Sequence, residues 1–365
     1  MPSTIYASAV PFSDSNPQMS RGVLERMPKW LICVPLAVQW CWLGLRYRSL
    51  TLPSAANPCI TSGGLVGEGK LEYFEQMGPT GRAATAPYAV VRDIATLTEY
   101  DLVAILDAAD VAFPVVAKPN LGLCGYGVRK LHDVTALREY GALFPTTQSL
   151  VLQQYLPQEQ EAGIFYARDP RSGAGRLIGL ALRYYPRVKG DGRSTLGELI
   201  RRDPRTRRML GSTAHACPHD LDSVPAAGRT VRLATIGSTR VGGLYRDGTT
   251  LITEALTAAI DKVAGEMPEF HFGRFDVRFD SARDLQAGHG FSIMEVNGAG
   301  SEAIHAWDPS IGLVAGLRMI FAKQRLLFEI GAANRKRGIR PIGLRKLIDL
   351  NGGQSRLIHM YPPSN

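Results

Sequence analysis

The chain has 365 residues, enough for two or three domains with cores of their own. It is 45% hydrophobic and 21% charged, without repeats or low-complexity tracts, which excludes fibrous and wholly disordered classes. A net charge of +9 and a pI near 9.4 favour anionic partners such as nucleotides, acidic metabolites or an anionic membrane surface. Nucleic acid is not an expected partner, because the basic clusters lack interleaved aromatics and match no nucleic-acid module. Five cysteines (Cys33, Cys41, Cys59, Cys124, Cys217) are scattered and form no CxxC. Neither a disulfide framework nor a zinc ribbon is indicated, and a reducing, cytoplasmic setting is expected.

Residues 1–28 open the chain as a polar, Ser- and Pro-containing stretch expected to be disordered, and the late start of the first apolar run speaks against a signal peptide. Residues 29–95 form a second region. Its uncharged run from Trp30 to Leu45 is bracketed by Lys29 on one side and Arg46 and Arg48 on the other. As a helix it would cover about 24 Å, short of the roughly 30 Å hydrocarbon core. Three readings compete for it: a segment lying in a membrane interface, a helix buried in the fold, and a span. The interfacial reading makes peripheral membrane contact through residues 30–48 an expectation, at the inner face of the membrane. Residues 49–70 are rich in Gly and Pro, and the spacing of Gly63, Gly64, Gly67 and Gly69 is no dinucleotide fingerprint. They are read as a plain loop, with a phosphate cradle or a role in closing a pocket as the alternatives.

The periodicity predicts a helix over 95–111 and a buried strand over Pro114–Ala117, with Lys118 at its end. A turn containing Gly122, Gly125 and Gly127 follows and leads into a second short strand. A lysine facing such a turn suits phosphate oxygens, because the ammonium is a point charge and glycines let the backbone approach. Residues 151–156 read as a strand that carries Gln153 and ends at Leu156, and Glu161 opens the next strand. A strand end of this kind offers backbone groups to an adenine edge, with a carboxylate beyond for ribose. The Gly190-Asp191-Gly192 turn precedes a helix start at Ser194/Thr195. The His215-Ala-Cys217-Pro-His219 stretch lacks a second ligand cluster and is read as structural. Residues 242–267 read as a turn and an amphipathic helix.

The most informative stretch is 273–302. Arg274 and Asp276 lie in one β-prone run, and Glu295 and Asn297 lie at the end of the next. Alternation with period 2 puts each pair on one strand face. Pairing the runs as a hairpin gathers three oxygen-bearing side chains and one guanidinium on one patch. Such hard oxygens suit Mg²⁺, or Mn²⁺, together with phosphate.

Taken together, Lys118 with its glycine turn, the Gln153–Leu156 hinge with Glu161, and the Arg274/Asp276/Glu295/Asn297 set resemble, in order, the ATP-grasp superfamily, most closely its D-alanine–D-alanine ligase and carboxylate–amine ligase branch. The resemblance covers residues 100–310. It implies an α+β ATP-grasp fold, two α/β subdomains clasping ATP, here with an atypical N-terminal region. It places the small subdomain at 96–160, the large subdomain with the Mg²⁺ site at 161–335, and a basic C-terminal extension at 336–365. By the same resemblance Lys118 and Gly125 would face ATP phosphates, Gln153 and Leu156 adenine, and Glu161 ribose. Asp276, Glu295 and Asn297 would hold the metal, and Arg274 would stabilise the transferring phosphoryl group. The implied activity is ATP- and Mg²⁺-dependent ligation of a small carboxylate to an amine through an acyl phosphate, with homodimerisation common in the branch. The alternatives are an ATP-grasp ligase with a thiol or hydroxyl acceptor, and a membrane-associated ATP-binding module without turnover. The chain departs from the branch at Cys124, where serines are usual, and at Gln153, where a carboxylate is common. Residues 312–338 read as a long helix with a basic end.

Overall fold

A computed structural model describes residues 21–211 and 214–365; the expected disorder of residues 1–20 lies outside them. Within residues 21–28 that expectation is corrected, because α1 (Val23–Arg26) buries Leu24 and pairs Glu25 with Arg205 at 2.8 Å. Helix α2 (Lys29–Arg46) takes up the apolar run. Ile32 and Leu43 are buried, Trp40 packs edge-on against Phe328 at 5.1 Å, and Gln39 Nε2 donates to the Phe321 carbonyl at 2.8 Å. No described helix is long and apolar enough to cross a membrane, which removes the spanning reading. One side of α2 is therefore core, and the other faces outward.

After α3 (Lys70–Gln76) and α4 (Pro79–Ala84) the chain builds a four-stranded antiparallel sheet. Its strands are β1 (Tyr88–Val91), β2 (Val115–Pro119), β3 (Arg129–Leu131) and β4 (Leu150–Gln154), in the order β1-β4-β2-β3. Helices α5 (Glu99–Ala108) and α6 (Val134–Ala142) cover it, started by Thr98 and Asp133, whose side chains accept the Asp101 and Ala136 amides. The edge strand β1 lies before residue 96, so this unit begins earlier than the sequence suggests.

The larger, five-stranded antiparallel sheet follows. It is made of β5 (Gln160–Arg168), β6 (Gly175–Tyr184), β9 (Leu244–Asp247), β10 (Phe272–Phe279) and β11 (Phe291–Asn297), in the order β11-β10-β5-β6-β9. A ribbon of β7 (Arg187–Lys189) and β8 (Thr230–Arg232), with α7 (Leu196–Arg202), stands beside it. Helix α8 (Glu254–Gly265) packs Leu256, Ile260 and Val263 on the face that Ala162, Ile164, Tyr166, Phe275 and Val277 present. The polar turn expected between β10 and β11 contains a short helix, α9 (Ala282–Gln286). The mixed α+β class read from the sequence is the one observed.

Helices α10 (Leu313–Lys336) and α11 (Leu344–Ile358) complete the chain. Residues 336–365 are not a detached basic extension. Ile358 and Tyr361 join the small-sheet core, Tyr361 stacks on Phe144 at 5.5 Å, and the Asn365 amide donates to Val128. Apolar residues spaced along α11 drive this return, a signal that its basic residues mask.

Phe328 is fully buried where α10 meets α2. Phe328→Ala should cost about 3–5 kcal/mol, read as a lower urea midpoint.

Candidate active site

The larger sheet has a second face, opposite α8, and it carries charge. Glu161, Gly163 and Phe165 of β5 share that face by alternation. Across the sheet they pair with Arg183, Ala181 and Gly179 of β6, and with Arg278, Asp276 and Arg274 of β10. Asp276 in turn pairs with Glu295 of β11, and Arg274 with Asn297. Three cross-strand rows thus lay out Arg183–Glu161–Arg278, Gly163–Asp276–Glu295 and Phe165–Arg274–Asn297. Gly163 is required in the middle row, because a Cβ there would stand 3.0 Å from Arg274 Cδ and 3.1 Å from Asp276 Oδ1.

These charges are buried and paired with one another, although Arg183 Nε and Arg278 Nε have no hydrogen-bond partner among the described residues. Arg274 donates to both Asp276 oxygens, from Nε at 2.6 Å and Nη2 at 2.8 Å, and Asn297 Nδ2 reaches Oδ2 at 3.3 Å. Arg183 bridges Glu161 Oε1 at 2.8 Å and Asp276 Oδ2 at 3.2 Å. Glu161 also accepts the Tyr185 hydroxyl. Burial pushes the Glu161 pKa up, but Arg183 and Arg278 outweigh it and hold the carboxyl below its ordinary value. Arg278 donates to the Leu156 carbonyl, so the expected adenine hinge is tied to the floor of the site.

The small sheet supplies the opposite wall. Lys118 reaches from β2 to the Gln153 side chain and, at 3.3 Å, to the Met294 carbonyl on β11. That carbonyl is free of the ladder because β11 bulges there: Asp276 pairs with Glu295 and Val277 with Ile293, leaving Met294 as the extra residue. Burial lowers the Lys118 pKa to about 8, against the pull of Glu295. The turn after β2 is left-handed at Cys124 (φ 48°), Gly125 (φ 75°) and Gly127 (φ 69°), which suits glycine at two of the three positions. Arg240 braces it through the Gly125 carbonyl at 3.3 Å and lies over the Tyr126 ring at 4.3 Å.

Lys118, Gly125, Gln153, Leu156, Glu161, Arg274, Asp276, Glu295 and Asn297 all line one cavity of about 300 Å³ between the two sheets. The glycine-rich loop read as a plain loop lines it too, through Leu65, Val66, Glu68 and Lys70. It is anchored by the Ala299 amide on Gly63 O at 3.2 Å and the Gly300 amide on Gly64 O at 2.6 Å. Lys70, absent from the sequence reading, sits 3.2 Å from Glu295 Oε1. Burial raises the Glu295 pKa, yet Lys70, Lys118 and Arg274 together hold it well below the usual carboxylate range. Arg183, Tyr185, Arg278 and Arg240 were also missed. Arginine and tyrosine in separate strands give no motif, and only pairing across the sheet shows that they meet.

Two carboxylates and an amide in adjacent registers are a hard-oxygen donor set that fits Mg²⁺, with Lys70 and the guanidiniums now neutralising the same oxygens. Among the described residues no group of three or more His, Cys, Asp and Glu is placed to hold a metal ion. The His215–His219 stretch stays structural: burial lowers His215 to about 4, and His219 Nε2 meets the Arg232 carbonyl at 2.7 Å.

No protein-family model matches the sequence, and no curated protein matches it. Solved structures similar to the chain include a bifunctional glutathione synthetase from Pasteurella multocida, at TM-score 0.36 and 15% identity, covering 70% of this chain and 35% of that one. They also include the ADP complex of an N5-carboxyaminoimidazole ribonucleotide synthetase, at TM-score 0.35 and 14% identity, covering 68% of this chain and 48% of that one. A third is a D-alanine–D-alanine ligase from Bacillus anthracis, at TM-score 0.43 and 12% identity, covering 76% of this chain and 72% of that one. The chain therefore spans about a third of the first and half of the second. Each is a likeness at low superposition score, and the chemistry proposed below rests on the residues of the cavity.

Removing Arg183 takes one donor from each of two buried carboxylates that keep Arg274 and Tyr185 as partners, so Arg183→Ala should lose about 1.5–3 kcal/mol of stability in urea titration. The lowered folded pKa of Glu161 makes its ionisation stabilising above the unfolded carboxyl pKa of about 4.3, and that contribution disappears as pH falls through the lower folded value. The acid limb of the stability curve should therefore be shallower in Glu161→Gln than in the wild type.

Proposed function

We propose that the chain is an ATP-grasp carboxylate–amine ligase, dependent on ATP and Mg²⁺ or Mn²⁺. The observation that carries the reading is the placement of Arg274, Asp276, Glu295 and Asn297 on one sheet face across a cavity from Lys118 and the Gly125 turn. Nothing in the packing of a sheet calls for three arginines and three carboxylates on a covered face. Such a face is expensive in desolvation and is explained by a polyanionic ligand.

In this reading Lys118, Lys70 and the backbone of the glycine turn receive the phosphates of ATP. The strand end at Gln153–Leu156 receives the base. Glu161 receives the ribose hydroxyls while still accepting from Arg183 and Tyr185, since a carboxylate has about four acceptor sites. Asp276, Glu295 and Asn297 would hold the metal, which when bound neutralises charge on the phosphates. Arg274, beside them, offsets negative charge that grows on the transferring phosphoryl group. A substrate carboxylate oxygen attacks the γ-phosphorus and ADP leaves. The amine then attacks the acyl carbon of the acyl phosphate, phosphate leaves, and the surplus amine proton passes to solvent. The protein's task is alignment and charge compensation.

An amine acceptor, rather than a thiol or hydroxyl, is favoured by Glu68. Its Oε2 is buried in the cavity wall without a hydrogen-bond partner among the described residues, and burial raises its pKa to about 7. A cationic amine would compensate that carboxylate. The reading also places the chain at a membrane surface, in peripheral contact through residues 30–48.

The test is ATP turnover with Mg²⁺ and pooled small carboxylates, with hydroxylamine present to trap acyl phosphate. Wild type should form hydroxamate and ADP together. Glu295→Gln should lose about 10²-fold or more of that rate while its urea midpoint stays near wild type. ATP binding with no hydroxamate from any pool would turn the reading to a nucleotide-binding module without turnover.

A further inference from the structure

Helix α2 presents a face to solvent that a water-facing helix ordinarily lacks. Every exposed position from Trp30 to Leu45 is apolar: Trp30, Leu31, Val34, Val38, Trp42 and Leu45, with only Ala and Cys between them. Exposure runs from 42% at Leu31 to 78% at Leu45. An amphipathic helix on a protein surface puts polar residues on that side, and a contiguous exposed apolar patch marks a contact surface. The polar contacts of α2 point inward instead, through Gln39 to α10.

The charges that α2 and the turn after it carry have one sign. Residues 29–48 contain no Asp or Glu, and Lys29, Arg46 and Arg48 bracket the apolar positions. At the C-terminal end a cleft opens between α2 and α10, lined by Trp42, Arg46, Tyr47, Arg325 and Glu329 among others. The Arg46 guanidinium lies over the Trp42 ring at 5.3 Å and the Tyr47 ring at 5.9 Å, rather than on a carboxylate. Glu329 also lines the neighbouring cleft, together with Arg171.

We propose that α2 docks the protein on an anionic phospholipid surface, with its apolar face in the headgroup–acyl boundary and a lipid phosphate between Arg46 and Arg325. The proposal deepens the peripheral contact of the preceding reading and rests on it. Tryptophans near both ends of an apolar run, with cations just beyond, match the polarity profile of that boundary. Guanidiniums suit the phosphate, because their forked donors engage two oxygens at once. A second copy of the chain is a poorer occupant. Pairing α2 with itself would bring together three cations from each copy, with no acid in 29–48 to offset them.

The experiment is sedimentation of the full chain with vesicles of phosphatidylcholine alone, or of phosphatidylcholine with about a third phosphatidylglycerol, over a potassium chloride series. Wild type should pellet with the anionic vesicles, bind the neutral ones weakly, and lose anionic binding as salt rises. Val38→Glu and Trp42→Glu change exposed positions and should abolish pelleting. The Arg46→Ala/Arg325→Ala double variant should weaken partitioning to anionic vesicles on the order of tenfold and leave neutral binding unchanged. Equal, salt-independent binding to both vesicles would overturn the headgroup assignment while sparing peripheral contact. No pelleting with either would overturn both. A lipid-independent dimer in light scattering that Trp42→Glu dissociates would give the face to a second copy and overturn the proposal. The salt series uses wild type alone, so the outcome does not depend on how the variants fold, and hydroxamate formation is read separately.

Discussion

The arrangement of the cavity depends on one pair of contacts: the two-pronged Arg274–Asp276 ion pair, and Arg183 that ties Asp276 to Glu161. These groups lie on a sheet face from which water is largely excluded, so each charge depends on its neighbours. Everything around them follows from keeping that network closed. Gly163 leaves room for the pair, Tyr185 donates to Glu161 and Arg278 to the Leu156 carbonyl, and Asn297 adds a further donor to Asp276 Oδ2. The network gives no clear gain in stability over an apolar face. On the proposed ligase reading, its value is a preset field for a polyanion.

The two sheets share core at Val151 of β4, with Tyr88 and Val90 of β1 beside it, and polar contacts link them at the cavity. Lys118 crosses to the bulged Met294 carbonyl, and the Leu71 amide takes the Asn120 side chain. Gln354 of α11 accepts from the Gly67 amide and donates to the Gly122 carbonyl, linking the glycine-rich loop, the turn beside Lys118 and the last helix. These bonds are few and lie at the rim of the cavity.

Helix α2 belongs to the fold and to its surroundings at once. Its inner side is held by Phe328 and Gln39, so its position does not depend on anything outside the chain. Its outer side has no counterpart among the described residues. A rigidly placed apolar face with cations at both ends is preorganised for a surface, since little ordering entropy remains to be lost on contact.

The sequence by itself determined the charged hairpin. Arg274, Asp276, Glu295 and Asn297 sit at period-2 spacing, and pairing those runs in phase keeps Phe275, Val277 and Val296 on the opposite, apolar face. It also determined the lysine–glycine turn and the helix starts at Thr98, Thr195 and Thr253, because caps and glycines act within a few residues. Tertiary structure alone decided what meets these elements. Lys70 lies 225 positions before its partner Glu295, and Arg183 lies 93 before Asp276, so no local pattern links them. The same holds for the return of Tyr361 to the small sheet and for the two sides of α2. An apolar run states that a helix will be buried somewhere; which side finds a neighbour depends on where α10 lies. Hydrophobic periodicity is a short-range signal, whereas the pairing of charges across strands is settled only when the sheet closes.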